Sequence, residues 1–384
     1  MPNLLSRIYK HNTSLSISAV VLVIKMCLFL WAGLTFDFHT YPQETWLSIW
    51  DRWDGRAYKT IAESGYVLTK NLKLDYWAFL SHFPPLYSLV MAVTSRLLGI
   101  SLENAGILVS LLCAIGASIM LYKLVYLEWR DTRIAWFAVL FFNLYPISYF
   151  TLSVYSESLF IFLSIMSFYC LKKGWHLGAG LAAAAAILTR FVGVVFLPVY
   201  FLYFFFQWRK SKFQIKNLYP FLISAVGLGI YLFVNKIFFG NYFYFLTEKI
   251  SFNNTKHFIF PFKETFNDAV AIFSNGHLLN QTFMTYSGWN AFFTVLAVVV
   301  TIWGARKMHW IYTAYAAFSI LIFASLSWGI SNARYTLSVF PIFMALGYSF
   351  AHGKKKFLLS GVLVISALGL LYFARIFTSG AWGF

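Results

Sequence analysis

The feature that most constrains this chain is a rhythm. Runs of about 20 apolar residues, the length of helix that a bilayer's hydrocarbon core requires, recur along it, and every second loop between them is basic. The runs fall near 14–35, 104–127, 134–151, 156–171, 176–190, 191–207, 218–239, 289–304, 309–329, 335–351 and 357–377, eleven in all. A soluble chain of 384 residues would divide into two or three domains. A chain that is 60% hydrophobic, with 43 Phe and 14 Trp, does not have the composition of a water-facing surface. The expectation is an all-α integral membrane protein, one polytopic domain over 1–384 with about eleven transmembrane helices. The first run, Ser14 to Leu34, carries Lys25 and is followed by no small-residue cleavage site, so it reads as a retained span rather than a removed signal peptide.

In such a chain the location of the charge matters more than its net value of +17. Arg7 and Lys10, then Arg130 and Arg133, Lys172 and Lys173, Arg209 to Lys216, Arg306 and Lys307, and Lys354 to Lys356 mark alternate loops as cytoplasmic. The alternation closes only if 80–100 does not cross, and Pro84-Pro85 with Arg96 favour a re-entrant or interface-lying segment there. Most acids then fall on the far side, in two long loops rich in aromatic residues, 36–79 and 240–288, so the working face is expected outside the cytoplasm. Cys27, Cys113 and Cys170 lie singly in apolar runs and read as small buried hydrophobes. The chain has no Gly-rich phosphate loop, HExxH, CxxC or GxSxG motif, so ATP hydrolysis, zinc proteolysis and serine hydrolysis lose support.

Against this background WDRWDGRAYKTIAESGY, residues 50–66, concentrates charge. Asp51 and Asp54, three apart, share one face if the stretch is helical, beside Arg52, Arg56 and Lys59. Acids able to take a proton beside cations able to hold a phosphate suit group transfer, and an interfacial helix with incidental charge is the structural alternative. TLSVYSESLF places Glu157 at the outer start of one helix, while AAILTRFVG and SNARYTLSVFPIF place Arg190 and Arg334 at outer ends of others. Ionisable groups at membrane depth cost about 2.5–3.5 kcal/mol on insertion scales and so face a protein interior or a watery cavity. These three are expected either to converge on a cavity or to pair simply to hold helices together. His82 is read with equal weight as a ligand and as a hydrogen-bonded packing residue.

In order along the chain, WDGRAYKTIAESGY, HFPPLYSL, NLYPISYFTLSVYSESLF, ILTRFVG and NARYTLSVFPIF resemble blocks of the PIG-V mannosyltransferases, members of the multispanning GT-C glycosyltransferases, from about residue 46 to the C-terminal WGF. The resemblance implies a GT-C bundle with a structured first outer loop. The implied activity is transfer of mannose or a similar hexose from a polyprenyl-phosphate sugar to a lipid-linked acceptor, on the non-cytoplasmic face, with inversion. It assigns the essential acid to Asp54 with Asp51 in support, and the donor phosphate to Arg56, Arg190 and Arg334. Tyr58, His82, Tyr155, Glu157 and Tyr335 are left to bind substrate. His82-Phe83-Pro84-Pro85 departs from the family, whose eukaryotic members usually have a bulky aromatic pair before a single proline. No metal ligands are assigned, a divalent metal remains an open alternative, and no nucleic acid is implied. The implied membrane is a prokaryotic plasma membrane, or the endoplasmic reticulum in a eukaryote. Competing readings are a polyprenyl-phosphate pentose or aminosugar transferase, a protein O-mannosyltransferase, and a lipid-sugar flippase. The flippase would be expected to show repeated halves and helices broken near the midplane.

The charge alternation generates a direct expectation. With a membrane-impermeant thiol reagent on intact cells, a cysteine at Gly55 is labelled and one at Ser211 is protected; the reverse pattern overturns the topology.

Overall fold

The computed structural model describes residues 2–69, 72–210, 214–247, 249–250, 254–255, 258–274, 287–327, 331–353 and 356–381. Glu248, Ser211, Lys354, Lys355 and the terminal Trp382-Gly383-Phe384 lie outside them. The architecture is helical: α1 (Pro2–Thr35), α2 (Asp54–Ser64), α3 (Leu74–Phe79), α4 (Leu86–Leu98), α5 (Leu102–Trp129), α6 (Thr132–Leu144), α7 (Glu157–Lys172), α8 (His176–Thr189) and α9 (Phe196–Arg209). The chain continues through α10 (Tyr219–Phe239), α11 (Tyr244–Thr247), α12 (Lys263–Ser274), α13 (Ser287–Gly304), α14 (Trp310–Ala324), α15 (Asn332–Leu337), α16 (Pro341–His352) and α17 (Lys356–Thr378). A two-residue antiparallel ladder, Lys249 opposite Thr255 and Ile250 opposite Asn254, lies within 240–288.

Among the described residues five helical stretches are long and apolar enough to cross a membrane: Thr13–Thr35, Leu102–Trp129, Phe191–Arg209, Ile215–Phe239 and Ser360–Thr378. The other apolar windows form shorter helices, and the expected count of eleven spans does not follow from helix length and composition. Identifiable residues shorten them. The window 134–151 contains Pro146, so α6 stops at Leu144 and Tyr145 turns extended at φ −55°, ψ 133°, as a residue before proline prefers. The window 335–351 contains Pro341, which opens α16 at its first turn and separates it from the six-residue α15. At the end of α8 Arg190 is extended at φ −149°, ψ 137°, and the chain folds back so closely that a Cβ on Gly193 would lie 2.8 Å from Ile187 Cα. Within 80–100, α4 is 13 residues long, about 20 Å, against a hydrocarbon core of about 30 Å.

These breaks release backbone polar groups, which are tolerated at membrane depth only where protein encloses them. Tyr149, Phe150, Val154 and Tyr155 around the break after α6 are all buried. Packing is close elsewhere too. α8 lies against both α7 and α10, and the run Ala182 to Ala186 presents its buried side to them. A Cβ on Gly227 of α10 would meet Ala184 Cα at 2.7 Å, so helix backbones are in contact there, as small residues permit.

Gly227→Val should therefore lower the thermal midpoint of the detergent-solubilised protein, with a cost of about 1–3 kcal/mol for overpacking. An unchanged midpoint in thermal size-exclusion chromatography would show that α8 and α10 separate without penalty.

Candidate active site

The site is built where loop 36–79 meets the broken ends of α6, α8 and α15. The loop is anchored rather than floppy. Trp50 is fully buried and its carbonyl accepts from Val154 N–H at 3.2 Å. Arg52 donates to the Thr378 carbonyl at the end of α17 from Nε (3.2 Å) and Nη2 (2.9 Å), and from Nη1 to Glu44 Oε1 at 2.5 Å. Burial pushes the Glu44 carboxyl up, but hydrogen bonds from Ser48 and Arg52 outweigh it and hold the group below the ordinary glutamate range.

Asp51 and Asp54 do not share a helical face. Asp51 is in the loop, α2 starts at Asp54, and between them Trp53 takes φ 48°, ψ −104°. This backbone is disfavoured for a non-glycine residue by on the order of 1–3 kcal/mol and recurs at functional sites. The kink sends neighbours apart: Trp53 is 48% exposed, whereas the Asp54 side chain is 17% exposed. Asp54 N–H donates to Tyr155 Oη at 3.2 Å, and Arg334 Nη1 donates to Asp54 Oδ2 at 2.6 Å. Asp51 is instead ion-paired with Lys59 of α2 and lies directly against Gly55, where a Cβ would strike its Oδ1.

Arg334 also faces Glu157, its Nε 3.3 Å from Oε1, and Arg190 Nη1 pairs with the same oxygen. Arg190 Nη1 donates to Ser156 Oγ at 3.3 Å, and that hydroxyl is 2.6 Å from Tyr58 Oη. The two guanidiniums lie 5.4 Å and 5.6 Å from the centre of the Tyr335 ring, and Arg334 also lies over Phe150 and Tyr155. The structure thus brings together Asp54, Tyr155, Glu157, Arg190, Arg334 and Tyr335, residues up to 281 positions apart when counted from 54 to 335. Tyr58 is buried and reaches the cluster through the Ser156 hydroxyl and edge-on against the Tyr155 ring, while it also packs edge-on against Phe83 and Tyr87.

Two expected residues stand aside. Arg56 is on the exposed side of α2 with its guanidinium 5.3 Å from the Tyr76 ring centre, not among the paired arginines. His82 lies beside Phe79, its Nδ1 3.1 Å from the Phe79 carbonyl oxygen. Sequence reasoning missed Ser156 as a link, Lys59 as the partner of Asp51, and Gly55 as the space for its carboxylate. Lys59 was visible as a charge in the same block, whereas nothing in the sequence marks the approach of Gly55 to Asp51. Among the described residues no three His, Cys, Asp or Glu side chains are grouped to hold a metal ion. Asp51, Asp54 and Glu157 each face a cation, and the chemistry of the site is taken from these residues alone.

Residues 41–209 match the family described as Mannosyltransferase (PIG-V). The match takes in four of the five sequence blocks and stops short of NARYTLSVFPIF, so it does not extend to the C-terminus as expected. The chain is 32% identical over 149 residues to GPI alpha-1,6-mannosyltransferase 2 of Rattus norvegicus, covering 38% of this chain and 29% of that protein. The Mus musculus protein of the same name is 32% identical over 151 residues, 38% and 30% of the two chains. The aligned stretch therefore corresponds to less than a third of the length of these relatives.

The fold extends further than the sequence match. ArnT from Cupriavidus metallidurans in the apo state superposes with TM-score 0.51 at 16% identity, covering 93% of this chain and 64% of that one. An oligosaccharyltransferase of Archaeoglobus fulgidus gives 0.51 at 14% identity, covering 96% and 53%. At such identity the likeness is one of fold alone, and the fold of this chain is the one that ArnT and this oligosaccharyltransferase share with it.

The contact between Gly55 and Asp51 makes a prediction. Gly55→Ala should destabilise by about 1–3 kcal/mol, and the loss should shrink in an Asp51→Ala background, where no carboxylate meets the new methyl. An equal loss in both backgrounds, measured by thermal unfolding, would place the strain elsewhere. Topology labelling in this loop is better done at the exposed Ser64 than at Gly55.

Proposed function

We propose that the chain is a polyprenyl-phosphate-dependent mannosyltransferase acting by inverting single displacement. It transfers mannose, or a similar hexose, to a hydroxyl of a lipid-linked acceptor on the non-cytoplasmic face of a prokaryotic plasma membrane, or of the endoplasmic reticulum in a eukaryote. The observation that carries this reading is the 2.6 Å pair of Asp54 and Arg334, with Arg190 adjoining, at the broken ends of the helices of a GT-C bundle. A family match over 41–209 supports mannose, and the solved structure of ArnT bound to undecaprenyl phosphate supports a polyprenyl phosphate donor.

The roles follow from charge. Asp54 takes the proton from the acceptor hydroxyl as its oxygen attacks the sugar's anomeric carbon. The bond from that carbon to the phosphate oxygen breaks, its electron pair stays on the phosphate, and Arg190 and Arg334 hold the charge that develops. A guanidinium N–H that holds Asp54 does not at the same time hold a phosphate, so donor arrival draws Arg334 from the carboxylate and leaves Asp54 for the acceptor. Tyr155 orients Asp54 through its backbone N–H. Lys59 holds Asp51 away from the reacting centre. Arg56 stands at the exposed side and is assigned no phosphate contact.

The test is initial rate with radiolabelled polyprenyl-phosphate mannose and a lipid extract from the source cells. Asp54→Asn should lower the rate by about a hundred- to ten-thousand-fold, the usual contribution of a general base, while still binding the lipid phosphate. Asp51→Asn should do less. Near-normal turnover in Asp54→Asn removes it as the base, and loss in Asp51→Asn alone transfers the role to Asp51.

A further inference from the structure

Glu157 is more than the mechanism above requires. It is fully buried in the first turn of α7, where an unpaired carboxylate is costly. A carboxylate kept only to clamp two helices would be expected to have both oxygens partnered, because a half-satisfied buried ion stabilises poorly. Here Arg190 and Arg334 both crowd onto Oε1 as ion pairs, and neither Oε1 nor Oε2 has a well-formed hydrogen bond. Two guanidiniums, Arg190 and Arg334, meet two carboxylates, Glu157 and Asp54, so the cluster as it stands has no net charge. Such a site holds its cations ready but offers no surplus positive charge to an anion.

We infer that Glu157 is a resident stand-in for the donor phosphate. It keeps the two arginines gathered while the site is empty, yields them when the donor arrives, and takes them back to release the lipid phosphate after transfer. This rests on the reading that Arg190 and Arg334 receive that phosphate. The chemistry gives the exchange its direction. Before transfer the donor is a phosphodiester. Transfer forms the bond between acceptor oxygen and anomeric carbon, breaks the bond to phosphate and moves the hydroxyl proton to Asp54. The leaving phosphomonoester carries more negative charge than the diester did and would be held more tightly by two desolvated guanidiniums. A carboxylate competing for the same N–H groups weakens that hold, and product release limits turnover in many enzymes. Asp54, protonated at that moment, no longer competes, which leaves Glu157 as the anion at the site able to reclaim the arginines.

The test is equilibrium binding of undecaprenyl phosphate to the purified full chain in detergent micelles, with undecaprenol as the control for the lipid tail. Glu157→Gln should bind undecaprenyl phosphate about tenfold more tightly than wild type, within the range of ordinary coupling between ligands. It should lower kcat and KM together, the split expected when release is slowed. Glu157→Asp, which restores the charge, should return the affinity to near the wild-type value. A folded Glu157→Gln that binds undecaprenyl phosphate equally or more weakly overturns the proposal. Where that variant does not fold, a cryo-EM structure of wild type with undecaprenyl phosphate decides. The proposal requires phosphate on both arginines and at least one of them parted from Glu157, and phosphate bound with both pairs intact overturns it. If Arg334→Ala leaves undecaprenyl phosphate binding unchanged, the donor-phosphate reading itself fails and takes this inference with it. Binding that needs Arg334 but ignores Glu157 defeats this inference alone.

Discussion

The Arg334 guanidinium joins three parts of the chain that would otherwise have no reason to meet. It faces Asp54 at the start of α2, Glu157 at the start of α7, and the rings of Phe150, Tyr155 and Tyr335. A cation this deeply buried is tolerable only where opposite charge surrounds it, and each carboxylate needs the cation for the same reason. The interaction therefore constrains loop 36–79, the break after α6 and the short α15 together. Moving any one of them leaves a buried charge without its partner.

The same logic governs the helix breaks. Pro146 follows the end of one helix and Pro341 opens another, both in runs that lipid alone would favour continuing as helix, and the freed backbone is enclosed by protein rather than lipid. Lys25 of α1 shows how this is done away from the site. Its ammonium is buried and donates to the Ser148 carbonyl at 3.2 Å, in the break after α6. The cation in the first span and the open backbone are each unfavourable alone, and each supplies what the other lacks. Ala333 N–H, at the start of α15, is likewise taken up by Asn290 Oδ1 of α13 at 2.8 Å.

Rigidity around the site comes from attachments at a distance. Arg52 fastens the loop to the end of α17, and Trp31 Nε1 of α1 donates to Leu371 O of the same helix at 3.1 Å. Asp54 is thus held from its own backbone, from the loop before it and from Arg334. That agreement of constraints is what allows Trp53 to remain at positive φ.

Much of this was legible in the residues themselves. Apolar length and basic loops dictate a helical membrane protein, because the bilayer admits few other solutions. Glu157, Arg190 and Arg334 are conspicuous for the same reason, since a charge in an apolar run must have a partner. The sequence could not say which partner, because pairing depends on where three broken helices point. It suggested one helical face for Asp51 and Asp54, and only the fold, through the backbone of Trp53, separated them into a carboxylate on Lys59 and a carboxylate on Arg334. Arg56 looked equivalent to Arg190 and Arg334 as a charge beside an acid. Tertiary structure distinguished them, because α2 turns Arg56 to its exposed side while the breaks at Arg190 and before Arg334 bring those two inward. Side-chain chemistry is written residue by residue, but the meeting of charges hundreds of residues apart is decided by packing.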